Sequence, residues 1–403
     1  MSKEGNRAKN PAEKNGFPQQ EPEVILDKHG FPLEVQDILL QYGDNFLQKH
    51  NLSAVQMKAF RDILCCRSEA LGAHVDVCDV CGHQEISYNS CRNRHCPKCQ
   101  SLAKQRWIEK QEQYLLDVGY FHVVFTLPDI LNIVMLQNQE TMYNLFFKAV
   151  SETLLELGYD QKYLGAKIGI TAVLHTWGQN LLYHPHIHCI VPGGGLTKDG
   201  KWIYSRKKFF IPVKVLSRKF RGKFLALLRH AKLHFYGSAE DLNLPESFDT
   251  FLAVLYQKEW VTYCKPPFKN AAKVVRYLGR YTHRVAITNN RIVKLEDGYV
   301  TFNWRDYSDD NKIKTMTVTA EEFIRRFFLH ILPSGFRKIR HYGILASRDK
   351  SIRIALCRKL MNTLVSTITA LRKPLEILQE IFGTQFNLCP RCGVGHLIRA
   401  SPI

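Results

Sequence analysis

The chain has 403 residues, with 45% hydrophobic and 11% aromatic residues, so it is long enough for two or three globular domains. Its 56 basic and 37 acidic residues leave a formal net charge of +19, which favours a polyanionic partner. We find no apolar run of about 18 residues, as a membrane helix requires, and no signal-peptide pattern at the polar start. These properties favour nucleic acid over a membrane surface as the partner.

The first part of the chain is predicted to be mostly helical. Residues 1–28 are polar, with scattered Pro, Gly, Lys and Glu, and this composition predicts a disordered leader. From Leu33 to Cys66 apolar residues recur every three or four positions, which predicts short helices. A cysteine-rich stretch covers residues 71–101, and residues 105–116 again have a helical pattern.

The middle of the chain is predicted to contain the central strands. Residues 121–127 form an apolar run typical of a buried strand, and residues 131–157 have a helical pattern. Two strand-like segments, Lys167 to Trp177 and His184 to Val191, flank a turn sequence. Strands joined this closely form an antiparallel hairpin.

The last third is predicted to mix helices and strands, and it is strongly basic. Lys269 to Arg284 is a predicted helix, residues 285–318 alternate in the manner of strands, and Glu321 to Leu332 has an amphipathic helical pattern. Two stretches concentrate the positive charge: Lys201 to Lys232 has eleven basic residues and no carboxylate, and Glu321 to Lys359 has ten basic residues against three acidic ones.

A cysteine-rich module predicts structural zinc. Five of the twelve cysteines lie between Cys78 and Cys99, and two pairs have the Cys-x-x-Cys spacing with fourteen residues between the pairs. Clustered cysteines without a secretory signal favour zinc over disulfides. Each pair can form a tight turn in which both thiolates meet one tetrahedral ion, and two pairs complete a closed site. The predicted Zn²⁺ ligands are Cys78, Cys81, Cys96 and Cys99.

Other residues could change this ligand set. Those that could exchange into the shell or build a second site are Cys66, His74, Cys91 and His95. Near the end of the chain, Cys389 and Cys392 form a third pair, with only His396 as an obvious further ligand, so they make half a site. Basic residues that flank the module, including Arg92 and Arg94, predict that it docks on DNA, and the alternative is a purely structural role.

Two histidines in the second strand of the hairpin predict a catalytic metal site. Residues two apart on a strand point to the same face, so His186 and His188 can chelate a divalent metal while Ile187 packs into the core. The sequence leaves two candidates for the third ligand. Gln179, at the hairpin end, has a neutral carbonyl suited to Mg²⁺ or Mn²⁺, and His175 could lie opposite His186.

Two tyrosines on the predicted helix are candidate nucleophiles. Tyr277 and Tyr281 are four residues apart, so they share one helix face, within a segment from Lys265 to Lys294 that has eight basic residues and no acidic ones. Neighbouring guanidinium groups can hold phosphates and favour the phenolate. These groups belong to Arg276, Arg280 and Arg284. Attack on DNA would leave a 5′-phosphotyrosine and a free 3′-hydroxyl, and would conserve the bond energy for rejoining.

Together these motifs resemble the two-tyrosine HUH transposases of rolling-circle insertion sequences, over nearly the whole chain. The matching segments are Asn89 to Gln100, Phe125 to Pro128, the His-x-His strand with its glycine tract, the Tyr-x-x-x-Tyr helix, and Leu332 to Phe336. The resemblance implies an α+β fold, in which a nuclease domain with a central antiparallel sheet flanked by helices follows a small zinc-binding module. It also implies cleavage of single-stranded DNA at element ends, by a nucleoid-associated protein of the bacterial cytoplasm.

The expected organisation has four parts. These are the leader 1–28, a helical and zinc-binding, DNA-docking domain 29–115, the nuclease domain 118–345, and a basic C-terminal tail 346–403 with the third cysteine pair. A replication initiator or a relaxase would share the chemistry. The lack of a Walker-A motif argues against the former, and the order of histidines before tyrosines argues against the latter. A DNA-binding regulator with a decayed nuclease is the alternative from another class.

Overall fold

The computed structural model describes residues 33–206, 211–268, 274, 279, 285–306, 309–363, 372–383 and 387–402. Its helices are α1 Val35–Lys49, α2 Ala54–Leu64, α3 Gln100–Glu112, α4 Asn132–Gln137, α5 Gln139–Tyr159, α6 Val213–Arg229, α7 Pro245–Gln257, α8 Ala320–Phe328, α9 Lys350–Leu360 and α10 Pro374–Phe382. Its strands are β1 Ala73–Cys78, β2 Gln84–Tyr88, β3 Tyr120–Thr126, β4 Gly169–Trp177, β5 Tyr183–Pro192, β6 Gly194–Leu196, β7 Trp202–Tyr204, β8 Thr262–Phe268, β9 Ile292–Glu296, β10 Tyr299–Asp306, β11 Lys312–Thr319, β12 Ile339–Gly343 and β13 Leu397–Pro402.

The central sheet has five antiparallel strands in the order β12-β4-β5-β3-β8. Side chains alternate between its two faces. One face, which includes Phe125, Leu174 and Ile187, is fully buried in the main core together with apolar residues of α5 and α6. The predicted hairpin is confirmed, since β4 and β5 pair in a register that places His175 opposite His186.

The opposite face of the same sheet carries histidines. His186 and His188 of β5 share this face with Ile190, because the three residues occupy every second position of the strand. Ile190 packs in a small cluster with Tyr120 and Val274, and Trp107 of α3 lies against that cluster. Helix α3 therefore covers part of the histidine face.

A second core joins the N-terminal helices to the later strands. Apolar residues of α1 and α2 pack with residues of β9, β10 and α8, and the end of the β4–β5 hairpin contributes Trp177 and Leu181. Helix α2 is capped by Ser53, whose hydroxyl accepts from the backbone N–H of Gln56, while the Gln56 side chain accepts from the Ser53 N–H. The cysteine-rich module is thus anchored directly to the hairpin that carries the histidines.

The C-terminal strand returns to the beginning of the chain. Strands β13, β1 and β2 form a separate three-stranded sheet, with β1 in the middle and both pairs antiparallel. The predicted α+β class with a central antiparallel sheet is confirmed, and the basic tail contains this additional strand. Among the described residues, no helix is long and apolar enough to cross a membrane.

Two predicted helices differ from those observed. The helix predicted over residues 131–157 is divided at Asn138, whose backbone leaves the helical region and whose side chain bonds both the N–H and the carbonyl of His234. The helix predicted over residues 105–116 begins at Gln100 and ends at Glu112. It therefore starts directly after Cys99, and this early start ties the helix to the cysteine module.

Candidate nuclease site and metal centres

Three histidines converge on one face of the central sheet. The nitrogen ligand atoms that His175, His186 and His188 can offer all lie within 4.8 Å of one another. The centroid of the His188 ring lies 4.8 Å from that of His175 and 4.8 Å from that of His186. His175 and His188 are buried, whereas His186 is half-buried. The group therefore opens toward solvent on the side of His186, where a phosphate could enter.

Hydrogen bonds at the Nδ1 atoms orient two of the rings. The Nδ1 of His186 lies 2.7 Å from the backbone carbonyl oxygen of His184, which can only accept. The Nδ1 of His188 lies 2.9 Å from the Nε2 of His122. If each Nδ1 carries the ring proton, the lone pair of each Nε2 points away from the hydrogen bond at Nδ1 and can bind a metal.

His122 contacts the histidine cluster, and the sequence reasoning missed it. It is 3% exposed, and its burial, together with the positive charge of Lys265, lowers its pKa to about 3. A neutral His122 can accept the proton of His188 through Nε2 when its own proton is on Nδ1. The signal was present in β3, where His122 alternates with the core residues Phe121 and Val123 and so points to the histidine face.

His175, one of the two residues that the sequence offered as the third ligand, lies in the histidine cluster. Its ring stacks on Trp177 with the centroids 4.6 Å apart. Gln179 lies in the turn beyond the end of β4, and its backbone carbonyl accepts from the guanidinium of Arg291. The geometry therefore favours His175 as the third ligand.

The predicted nucleophiles and the arginines beside them lie outside the described residues. These are Tyr277, Tyr281, Arg276, Arg280 and Arg284. Two residues of the same segment are described, and both are helical. Val274 is fully buried beside Ile190 of β5. At Gly279 an added Cβ would lie 2.3 Å from the Cδ1 atom of Ile108, so the backbone of this segment touches helix α3.

The predicted grouping of the zinc ligands is wrong. Cys96 and Cys99 cluster with Cys66 and Cys91, whereas Cys78 and Cys81 cluster with Cys389 and Cys392. Each cluster has four sulfur atoms within 4.8 Å of one another, as a tetrahedral zinc site requires. The sequence had allowed Cys66 and Cys91 to build a second site. The physical reason for the division is the β1–β2 hairpin, which separates the two Cys-x-x-Cys pairs.

The first cluster, formed by Cys66, Cys91, Cys96 and Cys99, lies at the start of α3. The Sγ of Cys99 is 3.6 Å from that of Cys66 and 3.6 Å from that of Cys91. Four sulfur atoms this close together match the ligand set of a tetrahedral Zn²⁺ site.

The two histidines proposed as exchangeable zinc ligands lie outside both clusters. His95 accepts from the guanidinium of Arg94, with 3.3 Å between the Nε atoms, and burial lowers its pKa to about 3. His74 contacts the guanidinium of Arg399. Each ring is used in a contact with arginine instead of a metal.

Of the two arginines predicted to bind DNA from this module, one has a structural role. The guanidinium of Arg94 donates to the carbonyl oxygens of Leu332, Pro333 and Phe336, with the Pro333 contact at 2.7 Å. It joins the cysteine module to the Leu332–Phe336 segment that belonged to the family resemblance. Arg92 is exposed, and its contact with DNA remains a prediction.

Comparison with known proteins identifies two matching regions. Residues 169–352 match a family model described as "Putative transposase", and residues 38–127 match a "Transposase zinc-binding domain". The chain is 48% identical, over 374 residues, to "Putative transposase y4qJ" of Sinorhizobium fredii, covering 91% of this chain and 94% of that protein. It is 27% identical, over 310 residues, to "Transposase for insertion sequence element IS801" of Pseudomonas savastanoi pv. phaseolicola, covering 75% and 73% respectively. No solved structure matches the chain.

Proposed function

The chain belongs to the two-tyrosine transposase family of IS91 and IS801, and we propose that it cleaves and rejoins single-stranded DNA at the ends of a rolling-circle insertion sequence. The observation that carries the proposal is the convergence of His175, His186 and His188 on one sheet face. A metal ion bound there would withdraw charge from the phosphate that is cut. The strongly basic composition supports DNA as the substrate.

The three histidines would hold the ion, and His122 would position His188. The sequence predicted Mg²⁺ or Mn²⁺. Mg²⁺ prefers oxygen ligands, whereas Mn²⁺ is a first-row transition ion that also binds nitrogen ligands, although more weakly than the later ions of the series. A set of three imidazoles therefore supports Mn²⁺ as the better fit of the two, with waters and phosphate oxygens as the remaining ligands.

Tyr277 and Tyr281 are the proposed nucleophiles. A phenolate oxygen forms a new bond to phosphorus, and the bond between that phosphorus and the 3′ oxygen of the neighbouring nucleotide breaks. The leaving oxygen takes up a proton and becomes a 3′-hydroxyl, while the 5′ phosphate stays on tyrosine. Attack by another 3′-hydroxyl reverses the step and rejoins DNA. With two tyrosines, one strand end can be held while the other is transferred.

The position of Val274 supports this assignment. Val274 packs beside Ile190, which lies two residues beyond His188 on the same face of β5. Tyr277 follows Val274 by three positions and Tyr281 follows it by seven, spacings that share one helix face. This sequence spacing is compatible with hydroxyl groups that approach the histidines.

Basic residues near the histidine face would bind the DNA backbone. Lys265 of β8 is exposed and pairs in register with His122 of β3, and its charge contributes to the low pKa of His122. From this position Lys265 could contact a phosphate that is bound at the histidines. We propose that Lys265 and the predicted arginines of the tyrosine segment hold the strand during cleavage.

A nicking assay on single-stranded DNA that carries the element end tests the proposal. The substitution of both His186 and His188 by Ala should abolish Mn²⁺-dependent cleavage and leave DNA binding largely intact, because binding depends on dispersed basic residues. The combined Tyr277→Phe and Tyr281→Phe variant should form no covalent adduct, whereas each single variant can still form one. Full cleavage by the histidine variant, or an adduct with the double tyrosine variant, would show that other residues do the chemistry.

The same assay separates the two candidates for the third ligand. His175→Ala should strongly increase the Mn²⁺ concentration that half-maximal cleavage requires, whereas Gln179→Ala should leave that concentration nearly unchanged. The reverse result would assign the third position to Gln179. If the unsubstituted chain binds the DNA tightly but never cuts it with any divalent metal, the alternative of a regulator with a decayed nuclease is correct.

A further inference from the structure

One cysteine pair of the N-terminal module and the last cysteine pair of the chain meet in one cluster. The Sγ of Cys78 lies 3.7 Å from that of Cys392, and the Sγ of Cys81 lies 3.7 Å from that of Cys389. All four sulfur atoms lie within 4.8 Å of one another. These cysteines are more than 300 positions apart in sequence, so local chain geometry alone does not bring the two pairs together.

The two pairs have the same backbone design. In both, a glycine with positive φ directly follows the second cysteine: Gly82 at 68° and Gly393 at 65°. In both, the N–H of that glycine donates to the carbonyl of the first cysteine, at 3.1 Å in the Cys78 pair and 2.9 Å in the Cys389 pair. Two matched turns of this kind are the usual halves of a four-cysteine zinc site.

Backbone N–H groups also point at the sulfur atoms. The N–H of Cys81 donates to the Sγ of Cys78 at 3.4 Å, and the N–H of Gly395 donates to the Sγ of Cys392 at 3.3 Å. Such bonds stabilise thiolates and orient them toward a metal.

The chain around the two turns fits closely. A Cβ added to Gly395 would lie 2.5 Å from the Sγ of Cys78, so any larger residue would push the two turns apart. Beside them, the N–H of His396 donates to the carboxylate of Asp79 at 2.7 Å, and β13 continues as the antiparallel partner of β1. The close approach is therefore made by glycine, by a side-chain hydrogen bond and by a strand ladder together.

We propose that Cys78, Cys81, Cys389 and Cys392 bind a second structural Zn²⁺, which fastens the C-terminal strand to the cysteine-rich module at the other end of the chain. The first Zn²⁺ is held by Cys66, Cys91, Cys96 and Cys99. The second site lies partly beyond residues 38–127, which match the zinc-binding family model. Because the ion's binding energy is also folding energy, the C-terminal strand is part of the module and depends on the metal for its attachment.

The zinc content of the full chain tests the proposal. To keep the nuclease site out of the count, all proteins carry the His186→Ala and His188→Ala substitutions. The parent should contain two zinc ions per chain. Replacement of Cys389 and Cys392 by Ser should leave one, and replacement of Cys78 and Cys81 by Ser should also leave one. Replacement of all four should still leave one, because both pairs serve the same ion.

Two further variants serve as controls. Replacement of Cys96 and Cys99 by Ser removes the other ion, so the parent with this change should contain one zinc ion. Combined with the Cys389 and Cys392 changes, it should leave no zinc. Gly395→Ala keeps every cysteine, and it should lose the same single ion because the added Cβ meets the Cys78 sulfur. This variant separates loss of geometry from loss of a ligand.

Three results would overturn the proposal. The first is two zinc ions retained after the Cys389 and Cys392 change. The second is a parent that contains only one zinc, whether the four cysteines are free thiols or disulfides. The third is a larger loss of zinc when all four cysteines are replaced than when either pair is replaced alone. Limited proteolysis supplies a readout independent of metal analysis: the C-terminal strand should become cleavable when either pair is replaced, while residues 33–115 stay protected.

Discussion

Replacement of His122 by Phe should weaken metal binding at the nuclease site without removing a ligand. The change keeps a planar ring in a position that is 3% exposed, but it removes the nitrogen that lies 2.9 Å from the Nδ1 of His188. Loss of such an orienting partner typically costs about 10–100-fold in metal affinity, or about 1.4–2.7 kcal/mol. The apparent Mn²⁺ affinity should fall by that factor, while the cleavage rate at saturating Mn²⁺ changes much less.

The assay is a Mn²⁺ titration of nicking on single-stranded DNA, with two comparison variants. His122→Gln provides an amide oxygen that can accept the His188 proton, and it should recover part of the affinity. His341→Phe is the matched control, because His341 is a histidine of the same sheet whose Nδ1 lies 3.0 Å from the hydroxyl of Thr171, away from the cluster. If His122→Phe leaves the Mn²⁺ dependence unchanged, or if His341→Phe shifts it equally, His122 does not position His188.

Two further predictions concern packing and pH. Gly279→Ala should reduce cleavage but not DNA binding, because the added Cβ would lie 2.3 Å from Ile108; Ile108→Ala in the same chain should restore part of the rate, and no recovery would exclude this contact as the cause. Burial lowers the pKa of His95 to about 3 and that of His330 to about 4, below the value near 6.5 of an unfolded chain. As the pH falls, the unfolded state therefore takes up these protons before the folded state does. The free energy of unfolding that the neutral rings contribute is present above about pH 6.5 and is lost as the pH falls toward 4. The loss is at most about 1.4 kcal/mol per pH unit for each ring. The thermal midpoint should fall between pH 7.5 and 5, less steeply in His330→Gln, and an equal slope in both proteins would contradict the assignment.

Strand periodicity was sufficient to predict the core of the candidate nuclease site. The alternation around Ile187 placed His186 and His188 on one face, and the short turn allowed His175 to lie opposite His186, as the register confirms. His122 was not recognised, because a single histidine in an apolar strand is most simply interpreted as a core residue. Its proposed role depends on a diagonal contact between β3 and β5, and the pairing of those strands is not visible in either segment alone.

The zinc ligands show a different limit of sequence reasoning. Each Cys-x-x-Cys pair was recognised from its spacing, since that geometry is local. The partner of each pair depends on how the chain folds between them, and the nearest pair in sequence was the wrong choice. Cys78 and Cys81 lie at the turn between β1 and β2, and there they cluster with Cys389 and Cys392, which are more than 300 positions away in sequence. A periodic sequence pattern cannot predict a contact at that separation.

Helix α3 connects the first cysteine cluster to the predicted nucleophile segment. It begins immediately after Cys99, so the orientation of its first turn depends on the sulfur cluster. Eight residues beyond its start, Ile108 touches Gly279, and Trp107 lies against the cluster that contains Val274. Val274 and Gly279 lie on either side of Tyr277 in sequence. A structural ion at the start of α3 would therefore fix the surface on which Val274 and Gly279 rest, in addition to stabilising the N-terminal module. Its removal should then reduce cleavage even when the three histidines are intact.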